Sequence, residues 1–215
     1  MKQNIKEELK FSENWKNKTK EEIASDIESA RKMAQRFRKF GYYFNIFQKK
    51  IHPKPDSKIL DACCGNGYVT YLLYKKGFRN VSGFDLDPYS IKIANLAFKP
   101  INFFESKAQE IKLPNSSVDI IFVTNALHHF PDLSELSSEF HRILKSGGKV
   151  FAVEPNAWHP LVLFREFFDI LKNKKTRNEF PLLGVKAKKS FSKLFKVNIS
   201  YCRFLTKVIL CMERK

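Results

Sequence analysis

The chain has 215 residues, enough for one domain with a sizeable core and too few for two ordinary ones. Hydrophobic residues make up 43% and charged residues 28%, which excludes a disordered chain, and no apolar run approaches the roughly 18–20 residues of a membrane span. The formal net charge of +17 points towards anionic partners, because most of it is concentrated in two flanking stretches.

Residues 21–48 read as a helix, with Ile23, Ile27, Ala30, Ala34 and Phe37 on one face, followed by aromatics at Phe40, Tyr42, Tyr43, Phe44 and Phe47. The segment His52–Asp56, with prolines at 53 and 55, breaks the helix. Strand-like stretches then follow at Lys58–Ala62, Val81–Asp85, Ile101–Glu105, Val118–Val123 and Lys149–Glu154. Helical stretches lie between most of them, at Tyr68–Lys76, Pro88–Phe98 and Leu133–Leu144. Asp87-Pro88 is an N-cap with proline at the first helical position, and Asp132 with Glu135 reads as an Asp-led capping box. Gly147-Gly148 is expected to stop the preceding helix and turn the chain into the next strand. Beyond Glu154, Phe164, Phe167, Phe168 and Leu171 mark a helix face, and Lys172–Lys189 reads as a basic loop. Phe195–Cys202 and Leu205–Met212 close the chain as an antiparallel hairpin. The pattern predicts a seven-stranded, Rossmann-like doubly wound α/β sheet, mostly parallel with an antiparallel C-terminal hairpin. Residues 1–52 would form a helical extension or lid on a domain spanning 53–215, with a basic insert near 172–193.

Charge and cysteine usage bound the setting. Residues 59–164 carry 10 basic and 10 acidic side chains, residues 31–58 carry 9 against 1, and residues 165–215 carry 14 against 4. A phosphorylated metabolite, an RNA or an acidic membrane surface would be drawn to those flanks, or the lysines are simply solvated. Met1–Lys20 has no apolar secretory core, and Cys63, Cys64, Cys202 and Cys211 lack CxxC spacing, so a reduced cytoplasmic protein without a metal site is expected.

The chemistry-bearing signal is Ile59–Tyr68, a strand entering a glycine turn that opens a helix, with Asp85 ending the next strand 20 residues after Gly65. Glycines let backbone amides approach a ligand, and an acidic strand end accepts ribose hydroxyls, so a nucleoside ligand is expected. Thr70 occupies the place where a dinucleotide fingerprint needs a third small residue, which disfavours a dehydrogenase. The segment instead resembles motif I of class I, S-adenosylmethionine-dependent methyltransferases: Asp61, Gly65 and Gly67 match, and Cys63 stands where the first glycine usually is. The resemblance extends through Val81–Asp87, through Lys107–Asp119 and Thr124–Phe130, and through His141–Gly148, the turn of the small-molecule branch called type 11.

That resemblance implies S-adenosyl-L-methionine as cofactor. Its contacts would come from Asp61, Cys63, Gly65, Gly67, Asp85, Leu86, Ala108, Gln109 and Asn125, although Lys107 replaces the usual adenine-binding aspartate. His128 or His129 could act as general base, or could pack the loop; Glu154 and Asn156 read as a polar strand end near solvent or could orient an acceptor, and His159 and Tyr43 could contact one. Phe40–Phe47 and Trp158–Leu171 could roof an apolar acceptor pocket or serve as core. The expected activity is methyl transfer to a small molecule, apolar or anionic, at oxygen or carbon. An RNA methyltransferase guided by the basic flanks, or a non-catalytic cofactor-binding protein, are the alternatives, and peripheral membrane contact stays open.

Overall fold

The computed structural model describes residues 17–130, 132–156, 184–202 and 207–215. Seven strands form one mixed sheet: β1 (Ile59–Ala62), β2 (Val81–Asp85), β3 (Asn102–Glu105), β4 (Val118–Thr124), β5 (Leu144–Pro155), β6 (Phe195–Cys202) and β7 (Lys207–Arg214). Their order is β3-β2-β1-β4-β5-β7-β6. β1, β2 and β3 pair in parallel, as do β4 and β5, whereas β7 runs antiparallel to both β5 and β6. This is the expected Rossmann-like sheet with its antiparallel C-terminal hairpin. Packing divides the chain into two compact units, residues 1–112 and 113–215.

In the first unit, α1 (Lys20–Arg36) begins at a reciprocal cap. Glu22 N donates to Thr19 Oγ1 at 3.2 Å, and Thr19 N donates to Glu22 Oε2 at 2.7 Å. The single helix expected over 21–48 is two helices, since the chain breaks at Phe37–Lys39 before α2 (Phe40–Ile51). The break re-aims the aromatics. Phe40, Tyr43, Phe44, Phe47 and Ile51 all become buried on one stripe of α2, with Phe44 and Phe47 each 6.1 Å from the Phe78 ring. These aromatics pack in the core, and Tyr43, expected to contact an acceptor, is only 3% exposed.

Every residue of β1 is buried, so the strand reads as a continuous apolar run interrupted by Asp61. α3 (Tyr68–Lys75) and α4 (Pro88–Ala97) cover the sheet, and Tyr71 stacks on Phe98 at 4.7 Å. The edge strand β3 is protected by Asn95, whose amide donates to Phe103 O at 3.0 Å and accepts from Phe103 N at 3.3 Å. Close packing of α3 on the sheet comes from Gly83 on β2. A Cβ there would lie 2.9 Å from Cys64 Sγ and Phe103 Cδ1 and 3.0 Å from Thr70 Oγ1. Thr70 is tolerated in the helix because the strand opposite it has no side chain.

In the second unit, α5 (Ser134–Ile143) buries Leu136, Phe140 and Ile143. The expected capping box is absent: Leu133 is the N-cap without a side-chain bond, and Asp132 Oδ1 accepts from Ser134 N at 2.9 Å. The helix stops at Ile143, before the glycines rather than at them. Gly147 and Gly148 lie inside β5, where the register jumps from Val118↔Leu144 to Ile120↔Lys149, a bulge that Lys145 ties to Asp119 at 2.7 Å. Gly147 takes φ +69°, and a Cβ on Gly148 would meet Lys145 O at 2.8 Å. Part of the expected basic loop is helical as α6 (Gly184–Phe191), because Ala187 and Phe191 supply an i, i+4 apolar pair, both fully buried. Phe191 packs 6.3 Å from Phe140 and 5.6 Å from Phe195. The aromatic face at 164–171, Trp158, His159 and basic residues 172–183 lie outside the described residues.

Gly83→Ala is expected to lower unfolding stability by about 1–3 kcal/mol through overpacking, whereas Gly41→Ala, with nothing within 4 Å, should change it by no more than about 1 kcal/mol. Denaturant melts of the two variants check this; equal midpoints would show that helix α3 can move off the sheet at little cost.

Candidate functional site

In the first unit, the turn between β1 and α3 alternates in backbone handedness. Cys63, Gly65 and Gly67 have φ of 56°, 51° and 79°, while Cys64 and Asn66 are outside the positive-φ region. The alternation makes a tight turn, in which Cys64 N donates to Phe84 O at 2.9 Å and Gly67 N to Cys64 O at 3.0 Å. Cys63 holds the left-handed conformation that a glycine would adopt, so the substitution at that position leaves the turn in place. Gly67 has no alternative, since a Cβ would come within 2.6 Å of the Phe103 ring.

Three side chains fasten this turn. Asp85 Oδ2 accepts from Gly65 N at 2.8 Å, and its Oδ1 accepts from Asp87 N at 3.0 Å. Asp85 is partly exposed at the end of β2, and burial pushes its carboxyl above the usual range. Below the turn, Asp61 is fully buried and accepts from Thr70 Oγ1 at 2.6 Å, leaving Oδ1 without a hydrogen-bond partner. Burial raises the Asp61 carboxyl to about 7, opposed by the Thr70 hydrogen bond and reinforced by the charge of Asp85. Leu86 follows at intermediate exposure.

Ala108 and Gln109 occupy a tight turn closed by Glu110 N donating to Lys107 O at 3.1 Å. Buried Ser106 organises it, donating to Glu110 O at 3.0 Å and accepting from Lys112 N at 3.1 Å. Lys107 is exposed beside it. The sequence reading missed Thr70 and Ser106 as partners. Thr70 was visible only as a misfit to another fingerprint, and nothing distinguished Ser106 from a surface serine.

In the second unit, Glu154 is fully buried at the end of β5, not a solvent-facing strand end. Its Oε1 accepts from Ala126 N at 2.9 Å and Leu127 N at 3.0 Å, and its Oε2 lies 2.8 Å from His128 Nδ1. A carboxylate with both backbone donors on one oxygen requires Nδ1 of a neutral His128 to carry the proton, so Nε2 is the acceptor. The His129 ring is exposed, 4.2 Å from that of His128. Asn125 takes φ 52°, donates its N–H to Val153 O at 2.9 Å and receives Lys207 Nζ on its side-chain oxygen. Asn156, two residues beyond Glu154, is buried. Among the described residues, no three His, Cys, Asp or Glu side chains are grouped to hold a metal ion, and no helix is long and apolar enough to cross a membrane.

Comparison with known proteins matches residues 60–152 to the model of the methyltransferase domain family. A demethylmenaquinone methyltransferase of Chlorobaculum tepidum is 29% identical over 126 residues, covering 59% of this chain and 52% of that protein. The corresponding enzyme of Chlorobaculum parvum is 31% identical over 108 residues, covering 50% and 45%. The chain thus spans about half the length of these curated relatives. Among solved structures, a methyltransferase of Thermotoga maritima superposes with a TM-score of 0.65 at 17% identity, covering 87% of this chain and 95% of that one. A methyltransferase of Methanosarcina mazei gives 0.59 at 22% identity, covering 79% and 96%, and both likenesses are of fold. Residues 60–152, which include the glycine turn and the acidic end of β2, are thus similar to the methyltransferase domain family, and these solved structures share the fold of the chain.

Proposed function

We propose that this chain transfers the methyl group of S-adenosylmethionine to a small-molecule acceptor at carbon or oxygen, and that the acceptor is a hydroxylated aromatic ring of the quinol class. The observation that carries the reading is the His128–Glu154 pair, a ring nitrogen held as an acceptor by a buried carboxylate. The quinone-ring methyltransferases among the similar proteins support the acceptor class. The lack of CxxC spacing among the four cysteines supports a reducing, cytoplasmic setting.

The described residues fit the cofactor. Asp85 keeps lone pairs for ribose hydroxyls beyond the two amides it accepts, and the small, left-handed residues of the turn from Cys63 to Gly67 let a ligand approach the backbone closely. The orphaned Asp61 Oδ1 leaves an acceptor beneath that turn for a cationic or hydroxylic ligand. Leu86, Ala108, Gln109 and Asn125 would complete the contacts. When bound, S-adenosylmethionine supplies an electrophilic methyl carbon on a sulfonium, so the protein's share is alignment, exclusion of water and proton movement.

Proton movement falls to His128. Its Nε2 takes the proton of a ring hydroxyl, which leaves a phenolate nucleophilic at oxygen and at the adjacent ring carbon. Glu154 stabilises the imidazolium so formed and fixes the ring. The two amides on Glu154 Oε1 keep the carboxylate aimed during that charge change.

Calorimetric titration with S-adenosylhomocysteine is expected to give binding that Asp85→Ala abolishes, with NAD failing to bind; NAD binding alone would overturn the cofactor assignment. In a methyl-transfer assay on reduced 1,4-naphthoquinone, His128→Ala should lower kcat about 10²–10⁴-fold with little change in KM. Glu154→Gln should cost a similar factor, because an amide donor inverts the imidazole tautomer, and the double variant should be no worse than either single one. An undiminished kcat in His128→Ala would remove it as the base.

Asp61 also predicts a pH dependence. Its folded pKa of about 7 lies above the ordinary aspartate value of 3.8, so the native state binds the extra proton in that window. Stability of the ligand-free protein therefore falls as pH rises from about 4 to about 7, by up to about 1.4 kcal/mol per pH unit per proton. Asp61→Asn should flatten that slope in denaturant melts at pH 5, 6 and 7.

A further inference from the structure

Ser29, Lys32, Met33 and Arg36 recur at i, i+3, i+4 and i+7, a second face of α1 beside the one that buries Ala30 and Ala34. With Phe37 and Tyr68 they line an open groove of about 400 Å³, the size of a small-molecule site. Its apolar part is the Phe37 ring set edge-on to Tyr68 at 5.6 Å, together with Met33, which is 44% exposed. Asn66 Nδ2 donates to Met33 Sδ at 3.5 Å, which joins the groove to the glycine turn.

Its polar groups are uncommitted. The Arg36 guanidinium has no carboxylate partner among the described residues, and Lys32 reaches only exposed Glu28, at 3.6 Å. The Tyr68 hydroxyl makes no hydrogen bond to the described residues, and burial together with Asp61 raises its pKa, so it stays a neutral donor. Two cations and a free hydroxyl around an aromatic floor call for a ligand that is both aromatic and anionic.

We propose that this groove binds an aromatic acid, its ring against Phe37, Tyr68 and Met33 and its carboxylate or phosphate on Arg36 and Lys32. The proposal rests on the methyltransferase reading only in naming that ligand as the methyl acceptor. The neutral quinol ring then gains an acidic substituent, and the anionic group sets its orientation.

The test is calorimetry on the full chain with 1-hydroxy-2-naphthoate, 1-naphthol and inorganic phosphate, each with and without S-adenosylhomocysteine. The acid should bind at least about tenfold tighter than naphthol, and inorganic phosphate far more weakly than either. The Lys32→Glu/Arg36→Glu double variant, altered at exposed helix positions, should bind the acid no better than naphthol, while its affinity for S-adenosylhomocysteine stays within about twofold of the parent. Tyr68→Phe should weaken the acid about three- to tenfold and leave naphthol unchanged. Equal affinity for acid and naphthol in the parent protein overturns the proposal, as does phosphate binding as tightly as the acid. A parallel loss of S-adenosylhomocysteine binding in the double variant assigns the cations to the cofactor and also overturns it. Acid binding in a protein that fails to bind S-adenosylhomocysteine supports the groove and removes the methyltransferase reading instead.

Discussion

The hydrogen bond from Gly65 N to Asp85 is the constraint on which the cofactor side depends. A turn with three left-handed residues in five is held by two backbone bonds, Cys64 N to Phe84 O and Gly67 N to Cys64 O, and Asp85 takes up the Gly65 amide between them. Asp85 fastens the turn from the neighbouring strand, and Thr70 on Asp61 fastens α3 from below. The parallel register Asp61↔Gly83 fixes how those supports meet, and Gly83 removes the side chain that would keep α3 away. The turn is thus set by strand register as much as by the glycines.

The second unit solves a similar problem with one carboxylate. Glu154 is fully buried, a costly place for a charge, yet its two oxygens hold three donors. It orders the 126–127 backbone and selects the His128 tautomer in the same arrangement. A glutamine could keep the two amides but would present an N–H to the imidazole, so ordering the backbone and selecting the tautomer are separable in chemistry though joined in one side chain.

The strands and most helices were legible because their signals are local: a buried four-residue run in β1, a proline at the start of α4, and two strand-like segments joined closely in sequence in β6 and β7. The glycine turn and Asp85 were legible for the same reason. What stayed hidden depends on tertiary context. The break at Phe37–Lys39 carries no proline or glycine, so apolar periodicity ran through it; it is burial of Phe44 and Phe47 against Phe78 that sets α2's direction. The Gly147-Gly148 pair looked like a helix stop because a strand bulge and a C-cap use the same residue. Glu154 looked like a polar strand end because the donors that satisfy it come from 26 to 28 residues earlier in the chain.

The two departures from the family pattern do not weigh equally. Cys63 changes a side chain where backbone matters, and φ 56° shows the backbone unchanged, at the roughly 1–2 kcal/mol cost of a left-handed non-glycine residue. Lys107 replaces an acidic side chain at the adenine-side turn, yet that turn is closed by backbone bonds and by Ser106, neither of which needs an aspartate. Affinity lost with the aspartate is therefore a matter of one side-chain contact, while the presentation of Ala108 and Gln109 survives. Both departures leave the main chain able to hold a nucleoside, which is the part of recognition a Rossmann-like edge builds from backbone rather than from side chains.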